Sequence, residues 1–76
     1  MKDLISYIAK SLVDEPERVS VIEIEGSHTK VLELSAAKRD IGKIIGKQGR
    51  NAQAIRIILG AASAKLGKKY VLEIVE

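Results

Sequence analysis

The chain has 76 residues, 46% of them apolar and 30% charged, with a formal net charge of +3; this suffices for one small globular domain spanning 1–76 and leaves no room for a second. It holds no cysteine and one histidine, His28, which excludes disulfides, thiolate sites, thiol chemistry and any multi-histidine metal site. No apolar run reaches the roughly 18–20 residues of a membrane span and no signal peptide opens the chain, so a cytoplasmic protein with no membrane partner is expected.

Met1 to Val13 reads as an amphipathic helix, with Leu4, Ile5, Ile8 and Leu12 at spacings of three and four. Pro16 disfavours helix at the residue before it, so the helix should stop near Asp14. Val19 to Glu25 reads as a strand in which Ile22 and Ile24 alternate with Glu23 and Glu25. Gly26-Ser27-His28 signals a turn, with His28 solvated, and Thr29 to Ser35 a second strand with Leu32 and Leu34 inward. These two strands should form an antiparallel hairpin. Lys38 to Ile45 is a short helical pattern carried by Ile41, Ile44 and Ile45, with Asp40 or Ser35 as its cap. After a break at Gly46 to Gly49, Arg50 to Leu66 is a longer helix with an inward stripe of Ala52, Ile55, Ile58, Leu59, Ala62 and Leu66. Gly67 suits its C-terminal cap. Tyr70 to Val75 closes the chain as a strand with Tyr70, Leu72 and Ile74 on one face. The order is α-β-β-α-α-β, an α+β arrangement without internal repeats, and both tyrosines read as packing residues.

Charge is unevenly spread. Residues 1–37 carry four basic against seven acidic side chains, residues 38–76 nine against three. Six of those nine fall between Lys38 and Arg56 beside a single acid, Asp40, the footprint expected for a polyanion partner. Lys65, Lys68 and Lys69 lie instead at the far end of the long helix, where cations suit the dipole.

Inside the basic cluster lies Gly42-Lys43-Ile44-Ile45-Gly46-Lys47-Gln48-Gly49-Arg50. Glycines on both sides of Lys47 and Gln48 let the backbone turn sharply and let a ligand lie against it. The unpaired N–H groups and positive end of the next helix face the same spot, which suits a phosphate oxygen. Lys43 and Arg50, with Arg39, add positive potential. This is not a nucleotide-hydrolysing P-loop, because Gly42 and Gly46 are one residue too close and Gln48 replaces the magnesium-binding hydroxyl. Nor is the G-x-G-x-x-G dinucleotide fingerprint present.

The loop, with Ala54-Ile55-Arg56 after it and the α-β-β-α-α-β order around it, resembles the KH domain in its type II, prokaryotic form. Tyr7-Ile8-Ala9-Lys10 and Val31-Leu32-Glu33-Leu34 extend the resemblance along the chain to the KhpA family of small bacterial KH proteins. The resemblance implies a three-stranded sheet packed against three helices. It implies single-stranded RNA or DNA held by its backbone at Gly46, Lys47, Gln48 and Gly49, with bases in a neighbouring aliphatic groove. Ile45, with Ile41 and Ile44, would form or support that groove, and those isoleucines also read as core. An aromatic content of 3% fits base reading without aromatic stacking. The resemblance further implies an RNA chaperone or regulator that self-associates and pairs with a larger KH protein, KhpB.

The long helix also carries Ile57, Gly60, Ala61 and Ala64 opposite its core stripe. A mid-helix glycine costs roughly 1 kcal/mol relative to alanine, and small residues around an isoleucine would let another helix approach closely. The face reads as a homodimer or heterodimer surface, or as scattered surface apolarity. With no nucleophile–base pair, metal cluster or complete phosphate-transfer motif, no enzyme, cofactor or small-molecule substrate is expected. The alternative to RNA binding is a protein-interaction adaptor.

Overall fold

A computed structural model of the protein describes residues 1–75. Helix α1 spans Lys2–Leu12 and ends before Asp14, and Pro16 then opens a short 3-10 turn, Pro16–Arg18, where its fixed φ and missing N–H are tolerated. Strands β1 (Ser20–Glu25) and β2 (Thr29–Ser35) form the expected antiparallel hairpin, with Val21 opposite Leu34 and Ile24 opposite Val31. A second 3-10 turn, Lys38–Asp40, leads into helix α2 (Ile41–Ile45), a third spans Lys47–Gly49, and helix α3 runs from Arg50 to Leu66. Strand β3 (Lys69–Ile74) pairs in parallel with β2, placing Leu32 beside Leu72 and Leu34 beside Ile74. The sheet order is β1-β2-β3. Three helices and a mixed three-stranded sheet in the order α-β-β-α-α-β make the α+β fold of a type II KH domain.

The core joins Ile5 and Ala9 of α1 to Val21, Leu32, Leu34 and Leu72 of the sheet and to Ile44, Ile55 and Leu59 of α2 and α3. Burying these side chains contributes about 1.5–3 kcal/mol each for the larger ones. Gly67 caps α3 in the left-handed conformation at φ +70°, its N–H donating to the Ser63 carbonyl.

Packing decides which of the periodic apolar residues face inward, and corrects some of the inward assignments. In β1 the inward residue is Val21, while Ile22 and Ile24 are 54% and 48% exposed. The hairpin register puts Ile22 and Ile24 on the face opposite Leu32 and Leu34, and the helices cover only the latter face. Helix α1 turns Ile5 and Ala9 inward, four residues apart, which leaves Leu4 exposed. In α3, Leu66 in the last turn and Ile58 are exposed rather than inward. Tyr70 packs on the core, but Tyr7 is exposed.

Candidate functional site

The junction of α2 and α3 is built from unusual backbone. Helix α2 closes with the Gly46 N–H donating to the Gly42 carbonyl at 2.9 Å. Gly46 then adopts φ +79°, ψ 172°, a combination open essentially to glycine alone. The Gly49 N–H donates to the Gly46 carbonyl at 3.0 Å, and Gly49 itself is left-handed at φ +74°. Gln48, between them, is also left-handed at φ +58°, a strained state for a residue with a Cβ. Lys47 and Gln48 head the 3-10 turn, so their N–H groups have no carbonyl ahead of them within it.

Gly46 is required for a second reason: a Cβ there would sit 2.6 Å from Cγ of Asn51. The Asn51 amide donates to the Lys43 carbonyl at 2.9 Å, so the first turn of α3 caps the last turn of α2 through this side chain. Sequence reasoning passed over Asn51, since a polar residue one position into a helix carries no signal of a contact eight residues back.

The side chains of Lys47, Gln48 and Arg50 are exposed around the turn, and Lys43 is half exposed. The first turn of α3 contains no acidic residue, so the positive end of this 17-residue helix faces solvent uncompensated. Ile45 is half-buried and, with Lys38, Ile41 and Gly42, lines a depression of about 270 Å³ beside the loop. Ile44 lies fully in the core and supports that wall from behind. A second depression, about 180 Å³ between α3 and β3, is lined by Arg56, Leu59, Tyr70, Val71 and Leu72; its only sequence signal was the position of Arg56 at the end of the basic cluster.

Two of the cations are not free. Arg39 Nε lies 3.1 Å from Glu15 Oε2, and Lys43 bonds to the Asp14 carboxylate. The hydrogen bond from Lys43, and then its charge, hold the Asp14 carboxyl below the usual carboxylate range. Asp40 sits in the N-cap position of α2 but makes no capping bond, against the expectation that it or Ser35 caps the helix. It is fully buried, and its Oδ2 accepts the Glu15 backbone N–H at 3.0 Å. The Ser35 hydroxyl donates instead to Ser20 on β1. Asp40 is thus taken up by the chain reversal after α1, and Ser35 by its hairpin partner.

On α3, Ile57 is 65% exposed and Gly60, Ala61 and Ala64 are exposed with it. A Cβ on Gly60 would meet nothing within 4 Å, so packing inside the chain does not require glycine there. No helix is long and apolar enough to cross a membrane, and no group of three or more His, Cys, Asp and Glu could hold a metal ion, among the described residues.

The helix–glycine-turn–helix unit on a β-β-α-α-β frame defines a KH domain. Residues 2–74 match the family described as KhpA/KhpB, KH domain, and the chain belongs to that family. It is 53% identical over 75 residues to the RNA-binding protein KhpA of Clostridium perfringens, covering 99% of this chain and 100% of that one. It is 51% identical over 76 residues to the proteins of that name from Chlamydia caviae and Aquifex aeolicus, covering 100% of this chain and 97% and 96% of theirs. Among solved structures, Era of Aquifex aeolicus in complex with GDP and aluminium fluoride matches with a TM-score of 0.62 at 22% identity. That match covers 96% of this chain but spans only 28% of the other, and it shows the fold alone. The family is a non-enzymatic one.

Proposed function

We propose that this protein binds single-stranded RNA, with the phosphate backbone seated at Gly46–Gly49 and bases in the aliphatic depression beside Ile45. The observation that carries this reading is the backbone of the turn. Positive φ at Gly46, Gln48 and Gly49 holds the Lys47 and Gln48 N–H groups at the uncompensated positive end of α3, an arrangement suited to a phosphate oxygen. That the relatives are RNA-binding proteins by name supports RNA as the ligand. Lys47 and Gln48 reach the phosphate directly, while Lys43 and Arg50 set the surrounding potential. One such module contacts few phosphates; about two to four would give a logarithmic salt slope of roughly −1.4 to −2.8 on single strands.

The weak affinity of a single module favours pairing, because two linked sites gain avidity on an RNA that reaches both. The exposed Ile57, Gly60, Ala61 and Ala64 face of α3 supports a homodimer, or a heterodimer with a KhpB-type protein on the same surface. In this reading the protein is a cytoplasmic RNA chaperone or post-transcriptional regulator.

The test is fluorescence-anisotropy titration of short single-stranded RNAs across a salt series, comparing wild type with Lys47→Asp/Gln48→Asp after both are shown to be folded. Salt-sensitive binding lost in the variant is the expected result. Equal binding by both places the RNA on another surface. No binding by either favours the adaptor, and a pull-down with a KhpB-type partner then becomes the decisive measurement.

A further inference from the structure

The reversal between α1 and β1 brings carboxylates to the basic side of α2. Asp14 takes Lys43, Glu15 takes Arg39, and the Glu15 backbone N–H is fixed to the fully buried Asp40. Among the described residues Asp40 has no other hydrogen-bond partner: its Oδ1 is buried and unpaired. A carboxylate withdrawn from water with half of its capacity unused is costly, and the one bond it makes in this fold is the one that fixes Glu15. The contact is thus built from beneath rather than being a chance meeting of surface side chains. Arg39, in the 3-10 turn before α2, and Lys43, within α2, both meet carboxylates of the reversal.

We infer that Asp14 and Glu15 are resident anions that occupy Arg39 and Lys43 in the free protein and that RNA phosphate must displace, so that this acidic pair sets affinity. The inference rests on the RNA-binding reading of the α2–α3 site given above. Its energetic scale fits a tuning role. Arg39, Lys43 and Asp14 are all substantially solvent-exposed, and exposed ion pairs are weak enough to exchange partners without unfolding anything. A phosphodiester offers the same charge and the same acceptor oxygens as the carboxylate that it replaces. The acidic excess of residues 1–37 noted in the sequence has, at this point, a structural destination: two of its carboxylates lie on the basic half of the chain.

The test is RNA affinity by anisotropy at fixed salt for Asp14→Asn/Glu15→Gln, which keeps side-chain shape and the Glu15 backbone N–H. A charge-matched control, Glu33→Gln/Glu73→Gln, removes two carboxylates from the opposite face of the sheet. Exchange of two surface pairs predicts binding tighter by about two- to thirty-fold, well beyond the control, whose charges are screened over a Debye length of about 8 Å at physiological salt. In an Arg39→Gln/Lys43→Gln background the same acidic substitutions should have no effect beyond the control's. Tightening equal to the control, or tightening that persists without Arg39 and Lys43, overturns the inference. If wild type binds RNA and Lys47→Asp/Gln48→Asp does not, the α2–α3 reading stands, and an acidic variant that fails to tighten binding overturns this inference alone. Absence of RNA binding by wild type overturns both readings together.

Discussion

The side chain of Asn51 fills the space into which a Cβ on Gly46 would project, 2.6 Å from Asn51 Cγ. The two residues are therefore one joint: the glycine lets the chain leave α2, and the amide that closes over it donates to the Lys43 carbonyl.

This joint separates the two loop glycines. Gly46→Ala meets both a glycine-only conformation and a collision, and should destabilise the fold by about 2–5 kcal/mol. Gly49 is left-handed with nothing within 4 Å of its Cβ position, so Gly49→Asn should cost no more than about 1 kcal/mol. Urea denaturation of the two variants measures the contrast; equal losses would mean that the collision at Asn51 is relieved at no cost.

Asn51→Ala removes one hydrogen bond and leaves the Lys43 carbonyl to solvent, for an expected loss of about 0.5–1.5 kcal/mol. Combined with Gly46→Ala, the loss should be smaller than the sum, because Asn51→Ala removes Cγ and Nδ2, two of the three atoms that the new Cβ strikes, and leaves only Asn51 Cβ at 2.8 Å. A double-mutant cycle in urea reads that coupling directly.

Asp40→Ala should destabilise the fold by about 1–3 kcal/mol, by leaving the Glu15 N–H without its acceptor and a void beneath the reversal. Asp40→Asn retains an oxygen for that N–H and should cost less. A reversed ranking in thermal or urea unfolding would show that the carboxylate charge, rather than its acceptor oxygen, holds the segment.

Two groups give the stability a pH dependence of definite sign. Asp14 titrates lower when folded, so its contribution is present above its unfolded pKa and is lost as pH falls through the folded value. Lys43→Gln should return the Asp14 carboxyl toward the ordinary range, as read by carboxyl carbon NMR. For Lys30, partial desolvation opposes the charge, but Glu23 and Glu25, with Tyr70, outweigh it and raise the pKa. Its contribution is full below the unfolded value and is lost as pH rises through the folded one, so Lys30→Met should flatten the alkaline limb of a stability profile.

The exposed face of α3 makes opposite predictions for fold and assembly. Gly60→Ala should raise monomer stability by about 0.5–1 kcal/mol, since the added methyl has open space. If a second helix packs there, the same methyl weakens association, and Ile57→Lys abolishes it. Sedimentation or light-scattering mass checks this; a mass for Ile57→Lys unchanged from wild type would remove the α3 face as an interface.

What could be read from the residues follows how local the cause is. Glycine spacing, Pro16 and the helical stripe through Ala52, Ile55 and Leu59 act within a few residues, and the elements they announce are present. The inward face of β1 depends on register against β2 and on which side the helices lie, so the Ile22 and Ile24 alternation pointed to the uncovered face. Asp40 looked like a helix cap because capping is local, whereas its partner is 25 residues earlier. Lys43 and Arg39 read as free cations for the same reason: Asp14 and Glu15 reach them only through the tertiary fold.

The parallel pairing of β2 with β3 carries a kinetic consequence. The hairpin closes across a turn of three residues, Gly26 to His28, while β3 reaches β2 only after residues 36–68 have been looped out and returned. Closing that longer loop is entropically dearer, and non-local pairing is slow to form. The looped-out stretch is the one that contains α2, the glycine turn and α3. Docking of β3 should therefore be a late step, and a nascent chain still lacking residues 69–74 would hold the contacts internal to the turn, from Gly42 to Asn51, without the strand that closes the sheet beneath α3.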